Sequence, residues 1–168
     1  AYMADARDFI VTDSNFGKAN IDFDKTNELI VKYFESLKKR AIVPGFIASN
    51  PEGDTITLGR GGSDYTASVI AAAVDASVLE IWSDVDGFMT ADPRKVERAY
   101  AIEYLTYAEA MELSHFGAKV IYTPTIQPVL NKKIKIHLRN SFNMSHKGTI
   151  IGTQRVIRSQ TLIKGISS

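Results

Sequence analysis

Apolar residues return along this chain in two rhythms, one close to four residues and one close to two. Over residues 26–39, Leu29, Ile30, Tyr33, Phe34 and Leu37 recur at helical spacing and predict an amphipathic helix. Short β-branched or apolar runs predict strands at 8–12, 55–58, 78–83 and 149–151. Residues 40–48 form another apolar run with Pro44 and Gly45 inside it, which predicts a bent strand. Asn50-Pro51-Glu52-Gly53-Asp54 then reads as a turn, so the strands on either side can pair as a hairpin. Ile134, Ile136 and Leu138 alternate with Lys133, Lys135, His137 and Arg139, the pattern of a strand over 135–139 with one buried face. An alanine-rich helix is predicted over 64–76, with Ser63 at its N-cap. Thr106 and Glu109 have capping-box spacing and open a helix to about residue 116. Thr123-Pro124 opens a shorter helix to about residue 130. Strands alternating with helices predict a three-layer α/β/α fold on a mostly parallel sheet.

Composition narrows the field. A chain of 168 residues is long enough for a domain with its own core. A net charge of +1 leaves no basic footprint for nucleic acid. The chain has no cysteine, which excludes disulfides, thiolate catalysis and cysteine-based metal sites and fits a cytoplasmic protein. The longest apolar stretch, 67–74, is too short to span a membrane and is closed by Asp75. Neither a nucleic-acid nor a membrane partner is expected.

The chemistry concentrates between residues 57 and 66. Gly59, Gly61 and Gly62 let the backbone approach a ligand, because no Cβ stands in the way. The free N–H groups of the helix start that follows favour an anion. Arg60 adds a planar, two-pronged anion clamp, and Asp64 puts a carboxylate beside it. Bound anion plus carboxylate suggests phosphoryl chemistry; a tight structural turn is the plainer reading. No Lys-Ser or Lys-Thr closes the loop, and its glycine spacing does not fit a dinucleotide fingerprint. Ser83-Asp84-Val85-Asp86-Gly87 ends a predicted strand, where open α/β sheets bind ligands. Its carboxylates could meet Mg²⁺, a ribose or the next strand's backbone, or simply form an Asx-type turn. Arg94 and Lys119 are either phosphate ligands or solvated surface charges. His115 lies in an apolar helical pattern and reads as packed, while His137 and His146 have no ligand spacing.

Five segments in order resemble the aspartate kinases of the amino-acid-kinase superfamily. They are Thr57-Leu58-Gly59-Arg60-Gly61-Gly62-Ser63-Asp64-Tyr65-Thr66, Glu80-Ile81-Trp82-Ser83-Asp84-Val85-Asp86-Gly87, Ala91-Asp92-Pro93-Arg94, Phe116-Gly117-Ala118-Lys119-Val120 and Arg139-Asn140-Ser141-Phe142-Asn143. The last of these, with Leu162-Ile163-Lys164-Gly165-Ile166-Ser167, looks most like the kinases fused to homoserine dehydrogenase. The resemblance implies ATP-dependent phosphorylation of the β-carboxylate of L-aspartate with Mg²⁺. The product would be 4-phospho-L-aspartate, the first intermediate toward lysine, threonine and methionine, made by an allosteric, homo-oligomeric parent. It implies that Arg60 grips the substrate α-carboxylate, that Gly61, Gly62, Ser63 and Phe46 surround the amino acid, and that Asp64 orients the catalytic lysine. Ser83 and Asp84 would touch the nucleotide, and Arg94 and Lys119 would hold its phosphates. Ser83 stands where the family usually has threonine, and Met89 where it often has tyrosine. The family's Lys-Phe-Gly-Gly-Thr segment, which carries the catalytic lysine, does not occur in the 168 residues. Residues 1–152 are therefore expected to be the C-terminal half of the kinase domain, and 153–168 a linker into a regulatory ACT domain.

Overall fold

A computed structural model of the chain describes residues 1–17, 19–115, 120–153 and 165. They fall into two units, Ala1–Ala76 and Ser77–Ser168.

The first unit carries β1 (Tyr2–Met3), a 3₁₀ turn (Ala6–Asp8), α1 (Phe23–Glu35), β2 (Ala41–Ile42), β3 (Ile47–Ser49), β4 (Thr55–Thr57) and α2 (Gly62–Ala73). β1 pairs parallel with β2. β3 and β4 form the expected antiparallel hairpin, with Ile47 opposite Thr57 and Ser49 opposite Thr55. Asn50 closes its turn: Oδ1 accepts the Asp54 N–H at 2.7 Å, and Gly53 takes the left-handed conformation. The predicted bent strand over 40–48 is two separate strands, since Val43 to Phe46 leave the ladder.

The predicted strand over 8–12 is not one. Asp5 accepts the Arg7 N–H at 3.0 Å and nucleates the 3₁₀ turn, a local bond that competes with a strand ladder. Val11 and Thr12 keep only isolated bridges, to Ser49 and Ile21. The apolar run is buried all the same. Phe9 and Ile10 are fully enclosed in a core with Ala4, Ala6, Ile21, Ile30, Ala48 and Val69. The Phe9 ring lies 5.0 Å from that of Tyr33 and 5.7 Å from that of Phe34, both on α1. α1 starts earlier than its apolar spacing indicates because Asp22 caps it, accepting the Lys25 N–H at 3.1 Å.

The second unit carries β5 (Val78–Ser83), β6 (Tyr104–Thr106), α3 (Tyr107–His115), a 3₁₀ turn (Thr123–Thr125), α4 (Ile126–Asn131), β7 (Lys135–Asn140) and β8 (Thr149–Gly152). Its sheet runs β5-β7-β8-β6. β5–β7 and β6–β8 are parallel and β7–β8 antiparallel, so the sheet is mixed with parallel pairing in the majority. The capping box forms as expected: Glu109 Oε2 accepts the Thr106 N–H at 2.7 Å, and Thr106 Oγ1 accepts the Glu109 N–H at 3.2 Å. α3 packs on β6, β8 and α4. Leu79, Ile81, Ile136 and Leu138 are buried on one face of the β5–β7 pair. The other face is more open, and there the Arg139 guanidinium lies 4.6 Å from the centre of the Trp82 ring. His115 is exposed at the end of α3, not packed as its pattern indicates.

Among the described residues no helix is long and apolar enough to cross a membrane. Most of the expected linker and ACT strand, 154–164 and 166–168, lies outside the described residues.

Candidate functional site

In the first unit the chain leaves β4 through Leu58-Gly59-Arg60-Gly61 and enters α2 at Gly62. Gly59 and Gly61 both adopt left-handed backbone, with φ of 69° and 66°, which is why glycine stands there. This corrects the expected cap. Gly61, not Ser63, is the N-cap of α2, and no side chain caps it. The left-handed step starts the helix early, with the Gly62 N–H on the Gly59 carbonyl at 3.1 Å and the Tyr65 N–H on the Gly61 carbonyl at 2.9 Å. Ser63 falls in the first turn and is exposed. An uncapped first turn with an exposed hydroxyl is suited to receive an anion.

Arg60 projects from this loop as an exposed cation. Asp64 is half-buried in the first turn of α2, and burial pushes its carboxyl above the usual range. Phe46 belongs to the same place although it is distant in sequence. Its backbone is left-handed, φ 77°, which is uncommon for a bulky side chain. Its ring lies on the helix start: a Cβ on Gly62 would come 2.7 Å from Phe46 Cδ2. A Cβ on Gly45 would come 2.9 Å from Ser63 Cα, so segments 45–46 and 62–63 are in close apposition. Structure thus brings Phe46 together with Gly62 and Ser63 of the glycine-rich loop.

Thr66 was not singled out by the sequence pattern. It is 2% exposed, donates its hydroxyl to the Gly62 carbonyl at 2.9 Å and accepts the Phe46 N–H at 3.1 Å. The available signal was a threonine four residues after a helix-start glycine, where its hydroxyl can reach back one turn.

In the second unit Ser83 and Asp84 lie at the carboxyl end of β5, beside the end of β7. The Ser83 hydroxyl donates to Asp84 Oδ1 at 3.2 Å, and the Ser83 carbonyl accepts the Ser141 N–H at 2.8 Å. Asp86 is committed elsewhere: Oδ1 accepts from Asn140 Nδ2 at 2.8 Å and from Asn143 Nδ2 at 3.2 Å. Gly87 has φ 115°, and a Cβ there would strike Thr149 Oγ1. That hydroxyl accepts the Phe88 N–H at 2.9 Å and donates to the Ile102 carbonyl at 2.7 Å, anchoring the loop after the strand.

Arg94 is strongly exposed and forked onto Asp92, with Nε on Oδ1 at 3.1 Å and Nη2 on Oδ2 at 3.0 Å. That guanidinium holds the Asp92 carboxyl below its ordinary value. No hydrogen bond or ion pair joins Arg94 to Ser83 or Asp84 among the described residues. Lys119 lies outside the described residues. Among those described, no group of three His, Cys, Asp or Glu residues is placed to hold a metal ion.

Residues 2–140 match the sequence model of the amino acid kinase family, and the chain belongs to that family. It is 37% identical over 161 residues to a bifunctional aspartokinase/homoserine dehydrogenase of Buchnera aphidicola, covering 96% of this chain and 20% of that one. It superposes on Escherichia coli aspartokinase III, solved with aspartate and ADP, with a TM-score of 0.83 and 38% identity, over 92% of this chain and 35% of that one. For the aspartate kinase of Clostridium acetobutylicum the TM-score is 0.86 and the identity 39%, over 98% and 37%. The chain thus spans about a fifth of the bifunctional relative and about a third of the solved kinases.

Proposed function

We propose that this chain is the C-terminal half of an aspartate kinase domain, with the residues after 152 leading toward a regulatory ACT domain. The parent would transfer the γ-phosphoryl group of ATP to L-aspartate. A β-carboxylate oxygen of aspartate forms the new P–O bond, the bond between the γ-phosphorus and the bridging oxygen breaks, and ADP leaves. The observation that carries the reading is the uncapped start of α2 behind two left-handed glycines, with Phe46 lying on Gly62. Such a junction offers backbone N–H groups, a guanidinium and an aromatic wall to a small anionic amino acid.

Within that reading each unit has its share. In the first, Arg60 binds the α-carboxylate, Gly61, Gly62, Ser63 and Phe46 enclose the amino acid, and Asp64 orients the lysine that aligns the phosphoryl group. In the second, Ser83 and Asp84 hold the nucleoside, and Arg94 and Lys119 hold phosphate oxygens. A hydroxyl and a carboxylate side by side at the carboxyl end of β5 fit a nucleotide. Mg²⁺ would arrive on the ATP phosphates. We further assign the parent to the cytoplasm, as a homo-oligomer under end-product control.

The test is a coupled ADP-release assay on the full-length gene product with aspartate, glutamate and carbamate offered in turn. Turnover with aspartate is expected. Turnover with glutamate or carbamate in preference would overturn the assignment.

A further inference from the structure

We infer that Thr66 is a positioning residue that sets the aspartate side of the site through the backbone of Phe46; this rests on the reading given under Proposed function. Phe46 holds a left-handed conformation that is strained for a residue with a side chain, so its surroundings must impose it. Two bonds do so. The Leu58 N–H reaches the Phe46 carbonyl at 2.8 Å, and the Phe46 N–H reaches Thr66 Oγ1 at 3.1 Å.

The Thr66 hydroxyl has its direction set for it. Its proton goes to the Gly62 carbonyl one turn back in α2, which leaves a lone pair facing Phe46. One buried oxygen therefore ties the glycine helix start to the aromatic residue that lies against it. The ring sits so close to Gly62 that any side chain there would have to displace it. Thr66 is itself almost fully enclosed, so it acts on a bound amino acid only through Phe46 and Gly62.

The experiment compares the intact parent enzyme with Thr66→Val and Thr66→Ser, varying each substrate in turn. Valine keeps the shape and removes both bonds; serine keeps the hydroxyl. Thr66→Val is expected to raise the KM for aspartate about tenfold, the scale of one lost buried hydrogen bond, with the KM for ATP within about twofold of the parent. Thr66→Ser should restore most of the loss. An unchanged aspartate KM in the valine variant, equal damage by valine and serine, or a matching rise in both KM values would each overturn the inference. Should Thr66→Val fail to fold, Gly62→Ala probes the same junction from the other side, since its Cβ displaces the Phe46 ring; an unchanged aspartate KM there would equally overturn it. A parent that does not phosphorylate aspartate at all would instead refute the proposed function.

Discussion

Asn140 donates its side-chain amide to Asp86 across 54 positions of sequence, at 2.8 Å, and so clamps the carboxyl ends of β5 and β7 together. Asn140 is only 8% exposed, so its amide has little water to turn to if the carboxylate is lost. Asp86→Ala should lower unfolding stability by about 1–3 kcal/mol, the cost of a charged hydrogen bond and a stranded donor. A denaturant titration of the chain, read as the shift in midpoint at unchanged slope, checks it. A variant as stable as the original would mean that the loop is held by its backbone bonds alone.

Asp5 should make stability fall on the acid side. Its side-chain and backbone bonds to Arg7 hold its carboxyl down at about 2, against an ordinary 3.8. The unfolded chain therefore binds the proton first as pH drops. The stabilisation is present above 3.8 and disappears as pH falls toward about 2. Comparing thermal midpoints with Asp5→Asn across this range should show the two proteins converging toward the acid end. Because the pair is partly exposed, added salt should shrink the difference.

Asp64 should behave in the opposite sense. Burial raises its carboxyl, so the folded state resists its ionisation and stability drops as pH rises through the folded value. Asp64→Asn is expected to be more stable than the original at neutral pH and no more stable below the ordinary carboxylate range. In the parent enzyme the same change should abolish most turnover. A protein destabilised by asparagine at neutral pH would show that Asp64 is held by an attractive partner rather than simply enclosed.

The chain by itself should not phosphorylate aspartate, because the Lys-Phe-Gly-Gly-Thr segment is absent from its sequence. Loss of a phosphate-aligning cation commonly lowers such rates by about two to three powers of ten or more. The ADP-release assay on the chain alone, run beside the full-length protein, measures this directly.

Arg60 and Lys119 should separate kinetically in the parent. Arg60→Ala is expected to raise the aspartate requirement and spare ATP, and lysine at that position should rescue only in part because a point charge lacks the two-pronged fork. Lys119→Ala should weaken ATP use instead. If Arg60→Ala raised only the KM for ATP, the glycine loop would be a phosphate cradle.

Features that depend on neighbours in sequence were legible from the chain alone. The β5 strand, the hairpin with its Asn50 turn and the Thr106–Glu109 capping box all appear where local pattern places them. Ser63 has the residue type of a cap, whereas a left-handed Gly61 starts the helix without one. Residues 8–12 carry the pattern of a strand without forming one, because an enclosed irregular segment is as apolar as a strand. Phe46's backbone, the reach of Thr66 and the Asp86–Asn140 clamp come from residues 12 or more positions apart, and no periodicity encodes such meetings.

The cover of Arg139 over Trp82 has an optical consequence. Trp82 is the single tryptophan in the chain, it belongs to the second unit, and its backbone adjoins Ser83. Its emission is therefore a label built into the second unit. Fluorescence follows the melting of the strand that carries Trp82, while helical circular dichroism follows the helices of both units at once. Two coincident curves would mark one cooperative protein, and two separated curves a chain that comes apart in stages.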